Sequence, residues 1–229
     1  RSASGGAEFG RALTAAVDAA LGAAARDAKS LAEPGTALLA LGSYGRGELC
    51  PGSDLDVVVV TERRGRAGAR VLAEVSERLW YPLWDAGFVT GHASRTLADS
   101  LDLAADDLDA LTSFLEVRVV AGDDAVARRL EAGSRKIAVR NRARVVEQLA
   151  AQAERRRVRP GPVAEVLEPD LKDGSGGLRD GQALGWAGWT IGPEGGFAAL
   201  VEAGALTAED RGRLEAAHAE LLAARVALH

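Results

Sequence analysis

With 229 residues, 47% of them hydrophobic, the chain can bury a sizeable core as one large domain or two small ones. A net charge of −5 argues against a general nucleic-acid binder, and the single cysteine, Cys50, argues against a disulfide framework and for a cytoplasmic setting. No run of about 18 apolar residues is present to span a membrane, and the absence of methionine, the initiator included, reads as a fragment of a longer chain.

In chain order, Glu8 to Ala32 is expected as an amphipathic helix, since its alanine-rich part lacks a signal-peptide layout. Thr36 to Gly42 is the first strand, Ser43 to Leu49 a short helix, and Asp54 to Thr61 the second strand. A helix follows over Ala67 to Ala86, with Trp80 and Trp84 on one face at i, i+4. Phe88 to Arg95 reads as a third strand. From there helices dominate: Leu97 to Leu103, Asp107 to Val120, Ala125 to Ala132, Ile137 to Arg157, Leu178 to Trp189, Phe197 to Ala203 and Thr207 to Leu228. The change of composition near residue 96 predicts two lobes, 1–96 and 97–229, with no flexible linker and no internal repeat.

The chemistry concentrates around Asp54 and Asp56. In a strand, residues i and i+2 share a face, so both carboxylates point one way while Leu55 points into the core. Two like charges so close call for a cation between them, and oxygen-only ligation suits Mg²⁺, which takes one or two carboxylates and completes its shell with water and substrate phosphates. An isolated Asp-x-Asp is also common in turns. Here it follows Gly42-Ser43-Tyr44-Gly45-Arg46, where a strand passes into a tight turn. Glycine permits close approach, the N–H groups of such a turn can cradle a phosphate, Ser43 adds a hydroxyl and Arg46 a charge. A phosphate cradle facing a metal pair is what nucleotidyl transfer requires.

The run Gly42-Ser43-Tyr44-Gly45-Arg46-Gly47-Glu48-Leu49, then Pro51-Gly52-Ser53-Asp54-Leu55-Asp56, resembles the signature of the nucleotidyltransferase superfamily that includes DNA polymerase β. More narrowly, it is similar to the bacterial uridylyltransferases of the nitrogen regulatory protein PII. A second motif, Glu168-Pro169-Asp170-Leu171-Lys172-Asp173-Gly174-Ser175-Gly176-Gly177-Leu178-Arg179-Asp180, resembles that family's Glu-Pro-Asn-x-Lys-x-Gly-Pro-Gly-Gly-Leu-Arg-Asp, departing at Asp170 and Ser175. Gly91-His92 with Arg95-Thr96, and Arg118 with Gly122-Asp123, match weaker family positions. The resemblance implies an α+β fold, a small mixed β-sheet nucleotidyltransferase lobe flanked by helices and followed by an all-helical lobe. It also implies two Mg²⁺ ions on Asp54 and Asp56, and UTP or, as in actinobacterial relatives, ATP as co-substrate. The expected acceptor is a tyrosine hydroxyl of a PII-type partner, with pyrophosphate as the leaving product.

Further site candidates keep two readings each. The superfamily often takes a third carboxylate from the next strand, but Phe88 to Arg95 holds no acid. His92 stands there instead, either structural or in the acid's place. Asp107 is the candidate third metal ligand or, equally, a helix N-cap. Lys172 and Arg179 are nucleotide-binding candidates in a second glycine-rich cradle, with Asp180 able to hold Arg179; the other reading is an ordered connection. The arginines from Arg135 to Arg159 form either a solvated face or a grip on the triphosphate. Cys50 reads as an inert turn residue.

A nucleotidyltransferase for a small molecule or another protein would share Gly42-Ser43 and Asp54/Asp56 but would not be expected to carry the Glu168–Asp180 motif. A module that binds nucleotide or PII without turnover would release no pyrophosphate. The family's hydrolytic His-Asp domain and its two glutamine-sensing domains are not expected within this stretch, since none of His92, His218 and His229 precedes an aspartate.

Overall fold

A computed structural model of the protein describes residues 3–81, 85, 90–192 and 195–228. These form two compact units, one over Gly10–Ser134 and one from the residues up to Phe9 with those from Arg135 onward.

The first unit is built on a four-stranded mixed sheet, β1 (Thr36–Ala40), β2 (Leu55–Thr61), β3 (Thr90–Thr96) and β4 (Arg118–Gly122), in the order β3-β2-β1-β4. β1 pairs antiparallel with β2 and β4, whereas β2 and β3 run parallel. Helix α1 (Ala3–Ala25) precedes the sheet, α2 (Gly42–Gly45) is the single turn after β1, and α3 (Gly65–Val75) continues through a π-helical turn to Trp80. Helices α4 (Leu97–Asp106) and α5 (Leu108–Phe114) lie between β3 and β4. This unit extends past residue 96, where the composition changes, because α4, α5 and β4 group with the sheet.

The alternating strand pattern decides what each face does. Leu38 and Ala40 of β1 and Leu55, Val57 and Val59 of β2 are buried with Leu21 of α1, Val75 of α3, and Leu79 and Trp80. Each fully buried Leu or Val side chain contributes about 1.5–3 kcal/mol relative to exposure, so this layer fixes the register. A slip of one residue would turn it out and Asp56 in.

The structure corrects two helix expectations. The helix predicted over Asp107 to Val120 ends at Phe114, and Arg118–Gly122 pairs with β1, Ala40 opposite Arg118 and Ala37 opposite Gly122. Val119 and Val120 suit a strand edge once a partner is supplied. The first helix stops at Ala25, and a separate 3-10 turn covers Lys29–Ala32. The Glu74 carboxylate accepts the Lys29 and Ser30 N–H groups at 2.8 and 3.2 Å, holding that turn apart from the helix. Trp84, Phe88 and Val89, used in the sequence reading, lie outside the described residues.

In the second unit, α6 (Asp124–Arg140) carries over from the first, followed by α7 (Arg142–Val158), α8 (Leu178–Gly188), α9 (Gly196–Glu202) and α10 (Ala208–Leu228). Val145, Leu149, Leu178, Trp186, Leu200 and Leu222 are buried here.

Candidate active site

The site is set by where β1 ends against β2. Ala40 pairs with Val57, and one residue on, the Leu41 N–H donates to the Asp56 carbonyl at 2.9 Å, carrying the ladder up to the turn. Gly42 then takes φ +54°, and a Cβ placed there would stand 3.1 Å from Asp56 Oδ2. A carboxylate thus rests directly on the glycine of the turn, in space that a larger residue would fill. Leu55 is 7% exposed, while Asp54 and Asp56 flanking it are exposed, as the strand alternation predicts.

The approach to Asp54 is tied down by a tight turn. The Ser53 N–H donates to the Cys50 carbonyl at 3.0 Å, and the Cys50 N–H donates to Ser53 Oγ at 3.1 Å. Cys50 itself is buried, consistent with a structural place. Past Gly42-Ser43, the Gly45 N–H donates to the Leu41 carbonyl and that of Glu48 to the Ser43 carbonyl, each at 2.8 Å. The first N–H groups of a helical turn have no intrahelical partner, so those beginning α2, next to Asp56 through Gly42, need partners from outside the turn.

Tyr44 and Arg46, the motif's large side chains, turn inward. The Tyr44 hydroxyl donates to Asp18 Oδ1 at 2.6 Å, and Arg118 grips the same carboxylate at 2.8 and 3.0 Å. Arg46, expected on a phosphate, donates to Glu48 at 2.7 Å and Glu116 at 2.9 Å, with 17% of its side chain exposed. Burial works against its charge, but the two carboxylates outweigh that and raise its pKa. Arg46 therefore braces the turn from behind.

Asp107 caps α5, its carboxylate accepting the Ala110 N–H at 2.7 Å. Asp109, which the sequence reading passed over, lines a cavity of about 380 Å³ together with Asp56. Its signal was the i, i+4 spacing to Ser113 on the same wall. Among the described residues no three His, Cys, Asp or Glu side chains converge as a metal cluster; the His92 side chain lies outside those described. Two carboxylates remain a sufficient protein contribution for Mg²⁺, whose shell water and substrate phosphates complete.

In the second unit, the glycine-rich motif is an internally bonded connection. Asp170 Oδ1 accepts the N–H groups of Lys172 and Asp173, both at 2.9 Å, and the N–H groups from Gly174 to Asp180 are likewise bonded within the unit. Its backbone is thus not a cradle; only side chains could meet an anion. Lys172 is exposed, whereas Arg179 reaches Asp173 at 3.3 Å and Gln182 at 3.2 Å over the Trp186 ring. The expected Asp180–Arg179 fork is not formed. Asp180 instead receives Arg156 at 2.6 and 3.0 Å, which also separates Arg156 from the solvated-face reading of the basic run.

Residues 23–93 match a family model described as a nucleotidyltransferase domain, and residues 143–229 match one described as GlnD PII-uridylyltransferase. Among curated proteins, a bifunctional uridylyltransferase/uridylyl-removing enzyme of Erythrobacter litoralis is 39% identical over 197 residues, covering 84% of this chain and 21% of the relative. Proteins of the same name from Cereibacter sphaeroides and Mycobacterium tuberculosis are 36% identical over 218 residues and 40% over 153. They are covered over 23% and 18% of their length, with 93% and 66% of this chain aligned. The chain therefore spans about a fifth of the length of these relatives.

Proposed function

This chain belongs to the PII-uridylyltransferase family of nucleotidyltransferases, and we propose that it transfers a nucleotidyl group, UMP or AMP, from a nucleoside triphosphate to a tyrosine hydroxyl of a PII-type regulatory protein in the cytoplasm. The observation that carries the reading is the apposition of Gly42 to the Asp56 carboxylate, which sets the glycine turn beside the carboxylate that the reading assigns to the metal.

In this reading Asp54 and Asp56 hold Mg²⁺, which when bound lowers the pKa of the attacking hydroxyl and offsets the charge of the triphosphate. The N–H groups at Gly42 and Ser43 bind the β- and γ-phosphates as fixed donors, a contribution that grows as water is excluded. The tyrosine oxygen forms a bond to the α-phosphorus, the bond from that phosphorus to the bridging oxygen breaks, and pyrophosphate leaves with the electron pair. The phenolic proton is released to water. The chain orients these groups so that attack and departure lie in line.

Purified protein incubated with Mg²⁺, PII acceptor and each labelled triphosphate should label the acceptor from one of them and release pyrophosphate. Asp56→Asn should lose that labelling by a factor of about 10²–10³ while keeping the fold, the usual cost of removing one preorganised electrostatic contribution. Normal labelling by Asp56→Asn would refute the assignment.

A further inference from the structure

The sheet face that carries Asp56 continues away from the phosphate turn. β2 and β3 run parallel with Asp56 opposite Gly91, Val58 opposite Ala93 and Val60 opposite Arg95, so alternation puts Arg95 on the face of Asp56. With α4 and α5 alongside, this face borders the cavity of about 380 Å³. Its walls include Val58, Ala93, Ala110 and Phe114, and its polar groups besides Asp56 are Arg95, Asp109 and Ser113.

Arg95 is half-buried, and among the described residues it makes no ion pair or side-chain hydrogen bond. Four arginines of the same unit pair with carboxylates, Arg46 with Glu48 and Glu116, Arg63 with Glu33, Arg118 with Asp18 and Arg129 with Glu62, whereas Arg95 is distinguished by its place on the cavity wall. A guanidinium offers five donors in a fork that matches a carboxylate, so a half-buried Arg95 on the cavity wall can take up an anionic group of a ligand.

Direction then identifies the ligand. The turn at Gly42-Ser43 follows β1, on one side of β2; the wall formed by Ala93 and Arg95 belongs to β3, on the other. In-line displacement requires the attacking oxygen to approach the α-phosphorus opposite the leaving pyrophosphate. With the outer phosphates on the β1 side, the acceptor oxygen must arrive from the β3 side, through the cavity. We propose that this cavity is the acceptor subsite: the phenol ring of the tyrosine rests on Val58, Ala93, Ala110 and Phe114, and Arg95 binds an anionic group of the same acceptor segment. This rests on the nucleotidyltransferase reading and adds the place and chemistry of its second substrate. Arg95 is then a specificity contact, separate from the groups that bind nucleotide.

Calorimetric titration of wild type, Arg95→Ala and Ala110→Trp, each with Mg·ATP, Mg·UTP and unmodified PII acceptor, tests the assignment, with steady-state kinetics on the same proteins. Both variants should weaken acceptor binding and raise its KM at least tenfold, with the affinity for nucleotide within twofold of wild type. Arg95→Lys should recover part of the loss. Unchanged acceptor binding in Arg95→Ala and Ala110→Trp would overturn the subsite, as would a selective loss of nucleotide affinity, which would make the cavity part of the nucleotide site. A wild-type protein that bound neither nucleotide would instead remove the nucleotidyltransferase reading, and this subsite with it.

Discussion

Tyr44 donates its hydroxyl to Asp18 across 2.6 Å, tying the turn that carries Gly42 and Ser43 to the first helix. Arg118 joins them, donating to both oxygens of Asp18 and to the Tyr44 carbonyl at 3.3 Å, with its guanidinium 5.1 Å from the Tyr44 ring centre. Burial pushes the phenol well above its ordinary value of 10.0, the Asp18 hydrogen bond and charge add to this, and Arg118 opposes it. A hydrogen bond to a charged group contributes about 1.5–3 kcal/mol, so Tyr44→Phe should lower unfolding free energy in urea by roughly that amount. The sign with pH follows from the raised value: the contribution is complete below pH 10 and declines above it, as the unfolded phenol ionises first. Tyr44→Phe should flatten that alkaline decline.

Gly42→Ala tests the contact with Asp56. The backbone there has φ +54°, and the new methyl would lie 3.1 Å from Oδ2, so the carboxylate must shift by a few tenths of an ångström. Left-handed backbone disfavours alanine by about 1 kcal/mol, a loss measurable in thermal melts. Transfer should fall much further than stability, by about tenfold or more, because misplacement near 1 Å costs up to 10²-fold. Equal activity in Gly42→Ala would detach the turn from the chemistry.

Asp54-Leu55-Asp56 was readable because strand alternation is a local rule, and the buried Leu55 between two exposed carboxylates follows it. Arg118–Gly122 was not, because its pairing depends on β1, some 80 residues earlier in the chain. The partners of Arg46 and Asp180 escaped for the same reason. Arg46 is engaged by Glu116, 70 positions away, and Asp180 by Arg156, 24 positions away. A motif reveals which charges are present, but folding decides which partner reaches each one first.

Arg46→Ala should therefore read as a stability variant. It leaves Glu48 and Glu116 side by side without their shared cation, and removal of one member of a largely buried pair destabilises by about 3–5 kcal/mol. Arg46→Lys should restore little, since one ammonium does not reproduce a fork that spans two carboxylates. Nucleotide affinity, measured well below the melting temperature, should change less than twofold. A selective loss of affinity in a fully folded Arg46→Ala would return Arg46 to the phosphate.

In the second unit the corresponding test is Arg156–Asp180. Arg156 is 9% exposed, and Asp180 binds it through Oδ1 while Oδ2 accepts the Gly176 N–H at 2.8 Å, so one carboxylate joins α7 to the glycine-rich connection. Asp180→Asn keeps the shape but leaves a buried cation without its counter-charge, and should cost about 3 kcal/mol, the low end for broken buried pairs because Asp180 keeps 29% exposure. Replacing both residues together, Arg156→Met with Asp180→Asn, should recover most of that loss, since desolvating an ion pair offsets much of its attraction. A double variant as unstable as Asp180→Asn would show that an uncompensated Arg156 charge is not the source of the loss. The comparison isolates the charge because the introduced methionine presents none, while the asparagine common to both variants retains an oxygen able to accept the Gly176 N–H.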